Sequence, residues 1–293
     1  MIDQFLNYLR FERNSSPLTV QTYEEGLREF ESYISLRDNG LSLGEVDADL
    51  IRDWMESLMD KGNTASTLNK KLSALRSFYR FALKRKLVEK DPAHGIIGPK
   101  KSKPLPQFLR ESEMDNLLDG LEWDMDNYED VRARTILLLF YEAGLRRSEL
   151  TGLDDGDVDF ATGQLKVTGK RNKQRIVPFG QELGEALKAY RNIRDERGEK
   201  NGEAFFLNDK GNRMTADQVY GLVRKYLSAV TSLKKRSPHV LRHTFATAML
   251  NNGAGLESIK KLLGHESVST TEIYAHTTFE QLKRVYKEAH PRA

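Results

Sequence analysis

The chain has 293 residues, roughly two domains' worth at about 150 residues each, with 39% hydrophobic residues, 30% charged residues and a formal net charge of +3. There is no cysteine, which excludes a disulfide framework, a cysteine zinc site and thiol catalysis, and fits a reducing compartment. Apolar runs such as Ile136 to Tyr141 are too short to span a bilayer, and Met1-Ile2-Asp3-Gln4 opens no export signal, so a soluble cytoplasmic protein with no membrane partner is expected.

In chain order, the first hundred residues read as helices. Leu18 to Leu36 carries Val20, Tyr23, Leu27, Phe30 and Ile34 near the 3.6-residue period, with Pro17 in front. Leu50 to Met59 repeats the pattern with Ile51, Trp54, Met55 and Leu58. Ser66 or Thr67 then caps a helix running to about Lys86, whose Leu68, Leu72, Leu75, Tyr79 and Ala82 form a core stripe. Arg76, Arg80 and Lys84 line another face, and with Lys70 they are the candidate DNA contacts of the first half. A helix roughly 10–12 Å across fits a DNA major groove, although a solvated basic face explains the same residues equally well.

Asp91-Pro92 ends the helical region, and the basic, proline-rich stretch from Gly98 to Pro106 reads as a linker. The expected boundaries are a helical domain over 1–98, a linker over 99–106 and a second domain over 107–293. Helices are expected at about Glu111–Leu121 and Val131–Ala143, followed by a polar loop. Residues 164–168 and 174–178 read as two strands of a β-hairpin, with Gly169-Lys170-Arg171-Asn172-Lys173 as its basic turn. Helical periodicity returns at about Gln181–Arg194, Ala216–Val230, Val240–Leu250, Leu256–Leu263 and Phe279–Ala289. The fold class is therefore mainly α with a small β-sheet.

Charge alternates along this organisation. Residues 1–60 carry a net −8, 61–103 a net +10, 104–165 a net −10 and 166–293 a net +11. One basic block in each half could grip a polyanion from two sides. Lysine on the wet faces of long helices would give the same pattern.

Five features of the second half converge on one chemistry. Arg146 stands at a helix-to-turn junction with Glu149 three residues on, and Lys173 lies in the hairpin turn. His239 and Arg242 share a helical face at i and i+3, His265 follows Leu263-Gly264, and Tyr274 comes nine residues later. Each has an ordinary structural explanation: a surface histidine, a capping or salt-bridged arginine, a hairpin-tip lysine, a core tyrosine. Their joint occurrence in this order carries the inference.

Together these residue types suit phosphodiester transesterification. Two arginines can clamp the non-bridging oxygens of a phosphate while staying charged, and cations fixed where charge develops are commonly the largest catalytic contribution. A tyrosine, with an ordinary pKa of about 10, needs a base or nearby cations to become a nucleophile. A departing 5′-alkoxide needs an acid, which a lysine can supply. No carboxylate pair suited to two metals accompanies these motifs, so a metal-free route with no cofactor is favoured.

The stretch His239-Val240-Leu241-Arg242-His243-Thr244-Phe245-Ala246-Thr247, and the stretch from Leu262-Leu263-Gly264-His265 through Ser269-Thr270-Thr271-Glu272-Ile273-Tyr274, resemble the tyrosine site-specific recombinases of the phage integrase family. Within it the chain is similar to the bacterial Xer recombinases over nearly its whole length, and its ending, Val285 to Ala293, resembles the XerC branch more than XerD.

The resemblance implies a helical, SAM-like core-binding domain followed by a mixed α/β catalytic domain, closing as a clamp on double-stranded DNA. By motif, Arg146 and Arg242 hold the scissile phosphate with help from His265. His239 is the base for Tyr274, which forms a 3′-phosphotyrosyl intermediate. Lys173 protonates the leaving 5′-oxygen, and Glu149 orients the arrangement. Lys170 and Arg171 are further DNA contacts. Four protomers, identical or paired with a related recombinase, would join two recombination sites, with the last helix docked on a neighbour and a septal DNA translocase as a further partner. The implied role is resolution of chromosome dimers. Two departures from the family pattern stand out: Arg147 where an apolar residue is usual, and Arg171 where glycine is common, which leaves Lys170 as a rival to Lys173.

Within the same chemistry the alternative is a phage or mobile-element integrase, and a type IB topoisomerase would share the nucleophile and arginines without needing a specific site. A non-catalytic DNA-binding protein on this fold is the alternative from another class, but it would be expected to lack at least one of these residues.

Overall fold

The computed structural model describes residues 1–38, 40–101, 107–169, 172–198, 200–264 and 279–292. The chain divides into two compact units, Met1–Pro104 and Leu105–Ala293. No helix among the described residues is long and apolar enough to cross a membrane.

Helices build the first unit. Helix α1 (Ile2–Asn7) continues as a π-helical turn over Tyr8–Glu12, and α2 (Pro17–Arg37), α3 (Ala48–Asp60) and α4 (Ala65–Lys84) follow. Polar side chains start the long helices by accepting from first-turn amides: Ser16 from Thr19, Asp47 from Leu50 and Thr64 from Thr67. Helix α4 thus begins earlier than the sequence suggests, because the hydroxyl of Thr64, rather than that of Ser66 or Thr67, meets the free amide. The expected stripe Leu68, Leu72, Leu75, Tyr79 and Ala82 is buried throughout. It packs in one core with Phe5, Phe30, Trp54 and Phe78, each large side chain contributing about 1.5–3 kcal/mol by leaving water. Among the described residues of this unit no regular element follows α4, but the chain is tied back where the Asn69 side-chain amide donates to the Pro99 carbonyl at 2.8 Å. Of the expected linker, 102–106 lie outside the described residues.

The second unit is built around α6 (Tyr128–Ala143), which is buried on nearly all sides. It follows α5 (Glu111–Asp115), whose expected continuation to Leu121 is a π-helical turn over Asn116–Gly120. A short α7 (Arg147–Thr151) leads to a three-stranded antiparallel sheet in the order β1 (Val158–Asp159), β2 (Gln164–Thr168) and β3 (Gln174–Pro178). The expected hairpin is present, with Thr168 opposite Gln174. Then come α8 (Gln181–Glu196), α9 (Ala216–Val230), α10 (Pro238–Asn251), α11 (Leu256–Leu263) and α12 (Phe279–Ala289).

Helix α12, expected on a neighbouring protomer, packs on its own chain. Its apolar stripe gains cover there, with Tyr286 and Ala289 buried against Phe245, Met249 and Leu262. The Tyr286 hydroxyl donates to the buried carboxyl of Glu142 at 3.0 Å. Just beyond, Arg292 pairs with Glu182 at 2.9 Å, Asp115 at 3.1 Å and Asp119.

Candidate active site

The site forms where three helix ends and the hairpin meet. Helix α6 stops at Gly144, which has a left-handed φ of +57°. Only glycine fits there, since a Cβ would lie 2.5 Å from the ring of Phe245. The chain then turns through buried Leu145 to Arg146, whose extended backbone immediately precedes α7. Glu149 closes this turn by accepting from the Arg146 backbone amide at 2.7 Å.

Glu149 is fully buried and gathers guanidinium groups. Its Oε1 accepts from Nη1 of Arg146 at 2.7 Å. Arg175 grips it with both arms, Nη1 to Oε1 at 2.6 Å and Nη2 to Oε2 at 3.0 Å. Arg242 lies 3.7 Å from Oε2. Burial by itself would raise this carboxyl, but the hydrogen bonds and charge of Arg175, with the hydrogen bonds of Arg146, prevail and hold it down at about 2.

The same three arginines converge on the C-terminal end of α11. Nε of Arg175 donates to the carbonyl of Leu262 at 2.8 Å, Nη2 of Arg242 to Leu263 at 2.6 Å and Nη2 of Arg146 to Gly264 at 2.9 Å. Nη1 of Arg242 also donates to the Gly144 carbonyl, at the end of α6, at 2.6 Å. Carbonyls at helix C-termini lack intrahelical partners and form the negative end of the macrodipole, so they hold cations in place. Gly264, in the left-handed conformation, leaves room for this: a Cβ there would lie 3.1 Å from Cδ and Nη1 of Arg175. Each guanidinium has five N–H donors, and these bonds engage two on Arg146 and two on Arg242.

The remaining expected residues are distributed as follows. Arg242 is buried on α10; desolvation, then Arg146, lowers it to about 10, so it stays cationic at neutral pH. His239 lies in the first turn of the same helix and reaches the surface. Partial desolvation, then Arg242, His243, Arg147 and Arg146, lowers its pKa and favours the neutral imidazole. Lys173 is exposed at the hairpin turn, where its carbonyl accepts from the Gly169 amide at 2.7 Å and Asn172 adopts a φ of +58°. A Cβ on Gly169 would sit 3.4 Å from Oε1 of Glu149, so the base of this hairpin lies against the buried carboxylate. Arg147 donates to the Ala216 carbonyl at the start of α9.

His265, Tyr274, Lys170 and Arg171 lie outside the described residues. In the first unit Lys70, Arg80 and Lys84 are exposed, whereas Arg76 turns inward and donates to the Ile96 carbonyl. One residue of the cluster escapes the sequence reading. Arg175 sits opposite Val167 on β3 and shares its face with buried Val177, while Ile176 points outward. An arginine on the inward phase of a strand was the available signal.

Residues 107–281 match the sequence model of the phage integrase family, and residues 2–86 match that of the phage integrase N-terminal SAM-like domain. The chain is 39% identical over 302 residues to tyrosine recombinase XerC of Pelotomaculum thermopropionicum, covering 100% of this chain and 98% of the relative. It is 35% identical over 296 residues to tyrosine recombinase XerD of Staphylococcus epidermidis, covering 100% and 99%. Among solved structures, the fold is similar to that of XerH site-specific recombinase bound to palindromic difH substrate in a post-cleavage complex, with a TM-score of 0.72 at 22% identity over 99% of this chain and 82% of that one.

Proposed function

We propose, from the premise that this chain belongs to the phage integrase family, that it breaks and rejoins DNA at a specific site through Tyr274 and so resolves chromosome dimers. It is a tyrosine recombinase, a metal-independent DNA strand transferase by this reading. The observation that supports the chemistry best is the cluster of Arg146, Arg175 and Arg242 around the buried carboxylate of Glu149. Among the described residues these three cations outnumber the one anion they surround, which suits an anionic substrate whose charge grows in the transition state.

In the reaction, the spare N–H donors of Arg146 and Arg242, with His265, hold the non-bridging oxygens of the scissile phosphate. Neutral His239 takes the phenolic proton of Tyr274. The phenolate attacks phosphorus, the bond to the 5′-oxygen breaks, and Lys173 gives that oxygen its proton. The products are a 3′-phosphotyrosyl ester and a free 5′-hydroxyl. The ester conserves the bond energy, so another strand's 5′-hydroxyl can displace Tyr274 in the reverse of the same step. Glu149 keeps the arginines in register.

A core-binding domain over 1–98 and a catalytic domain over 107–293, joined by a linker over 99–106, would each contact the duplex. Lys70, Arg76, Arg80, Lys84, Lys170 and Arg171 are the candidate DNA contacts, with Arg76 committed to Ile96 until DNA displaces that bond. A tetramer on two sites, alone or with a related recombinase, acting in the cytoplasm and activated by a septal DNA translocase, completes the proposal.

The test is a nicked suicide DNA, its site selected from a random pool by binding to the protein, incubated in EDTA and run on a denaturing gel. A covalent adduct lost in Tyr274→Phe is expected. An equal adduct in that variant would overturn the assignment of the nucleophile, and a strict magnesium requirement would point to a nuclease.

A further inference from the structure

We infer that Arg175 is a positioning residue for cleavage, fixing Arg146, Arg242 and the turn before His265 in one geometry. This rests on the proposed function, in which Arg146 and Arg242 clamp the scissile phosphate.

One side chain joins three parts of the fold. From β3, Arg175 binds both oxygens of Glu149, the residue that holds the backbone and guanidinium of Arg146. With Nε it takes the Leu262 carbonyl, one residue before the carbonyl held by Arg242 and two before that held by Arg146. It stands two residues after Lys173 on the arm of the hairpin. The end of α11, from which the chain proceeds to His265 and Tyr274, is thereby keyed to the hairpin and to both phosphate-binding arginines.

Arg175 acts through these neighbours. Its side chain is only 15% exposed, against 34% for Arg146, and three of its five donors are spent on protein acceptors. The forked geometry matters as much as the charge. A planar guanidinium can meet a carboxylate with two parallel bonds and still present Nε to a carbonyl, whereas an ammonium is a single point of charge. A shift of about 1 Å in a reacting geometry can cost on the order of 100-fold in rate.

The test compares full-length wild type, Arg175→Lys and Arg175→Gln in single-turnover adduct formation. The nicked DNA carries either the native scissile phosphate or a methylphosphonate there. The phosphonate lacks the charge that the arginine clamp neutralises, so a variant that misplaces the clamp should suffer less on it. Arg175→Lys should slow cleavage of native DNA by about 10- to 100-fold, with the deficit on the phosphonate falling to within about 3-fold. Arg175→Gln should behave likewise, and melting curves of both variants confirm that folded protein is compared. Equal slowing on both DNAs, or no slowing on native DNA, overturns the inference and leaves the proposed function standing. Failure of the wild type to form an adduct on either DNA overturns both.

Discussion

Arg175 and Glu149 meet through two parallel hydrogen bonds, 2.6 and 3.0 Å long, beneath the surface of the second unit. The pair sets the electrostatics of the site, since the same carboxylate bonds Arg146 and lies near Arg242. Without it, three guanidinium groups would face one another across a partly desolvated space.

Replacing that carboxylate should therefore cost stability as well as activity. Breaking a buried ion pair typically costs about 3–5 kcal/mol, so Glu149→Gln should lower the melting temperature by at least about 6 °C at pH 7. The wild-type contribution also depends on pH. The folded carboxyl lies at about 2 against an ordinary 4.5, so its stabilisation is complete above pH 4.5 and is lost as pH falls toward 2. Melting curves should converge for wild type and variant as the medium is acidified over that window. A constant difference across it would contradict the assignment.

His239 should set the acid limb of cleavage. Its pKa lies below the ordinary 6.5, and a general base acts in its neutral form. Adduct formation should thus reach half its plateau at a pH below 6.5. His239→Ala should be slower by about 100- to 10,000-fold and should lack that limb. A wild-type midpoint above 6.5 counts against the histidine as base.

Lys173 should matter only when the leaving oxygen needs a proton. On ordinary DNA, Lys173→Ala should be slower by about 100- to 10,000-fold. On DNA with a 5′-thio leaving group, which departs without protonation, it should approach the wild-type rate. If the thio substrate rescues Lys170→Ala instead, the acid is the other lysine of the turn.

Glu142 should make the seat of α12 sensitive to alkali. Burial pushes its carboxyl up to about 8, against the opposing hydrogen bond from Tyr286. A raised acid contributes its full stability below its ordinary value of 4.5 and loses it as pH rises through about 8. Glu142→Gln keeps an acceptor for Tyr286 and cannot ionise. It should melt with the wild type near pH 4.5 and at least about 4 °C above it at pH 8.5. Parallel curves over the whole range would show that Glu142 does not titrate in this interval.

The long elements were legible because their signals are local. The stripe of α4 and the alternation of the hairpin follow from the 3.6- and 2-residue periods, and the structure has both. Helix α7 was not legible: five residues carry no period, and the backbone bond from Arg146 to Glu149 marks its start. Nor was β1, whose two residues owe their conformation to pairing with Leu165 and Gln164. The arginines at 146 and 242 were nameable from sequence order, but their common anchor on carbonyls 262–264 depends on helices meeting in space. Glu142 hid for the opposite reason. It sits in an apolar run whose helix is buried on nearly every side, so its position within the period said nothing about its depth.

The central claim concerns one covalent bond, and mass spectrometry of the trapped adduct tests it directly. Trypsin should release the DNA-linked peptide 262–283, in which Tyr274 is the only tyrosine. After nuclease trimming, the account predicts a nucleotide 3′-phosphate esterified to the Tyr274 oxygen. A nucleotide on any other residue, or one joined through its 5′-phosphate, would contradict it.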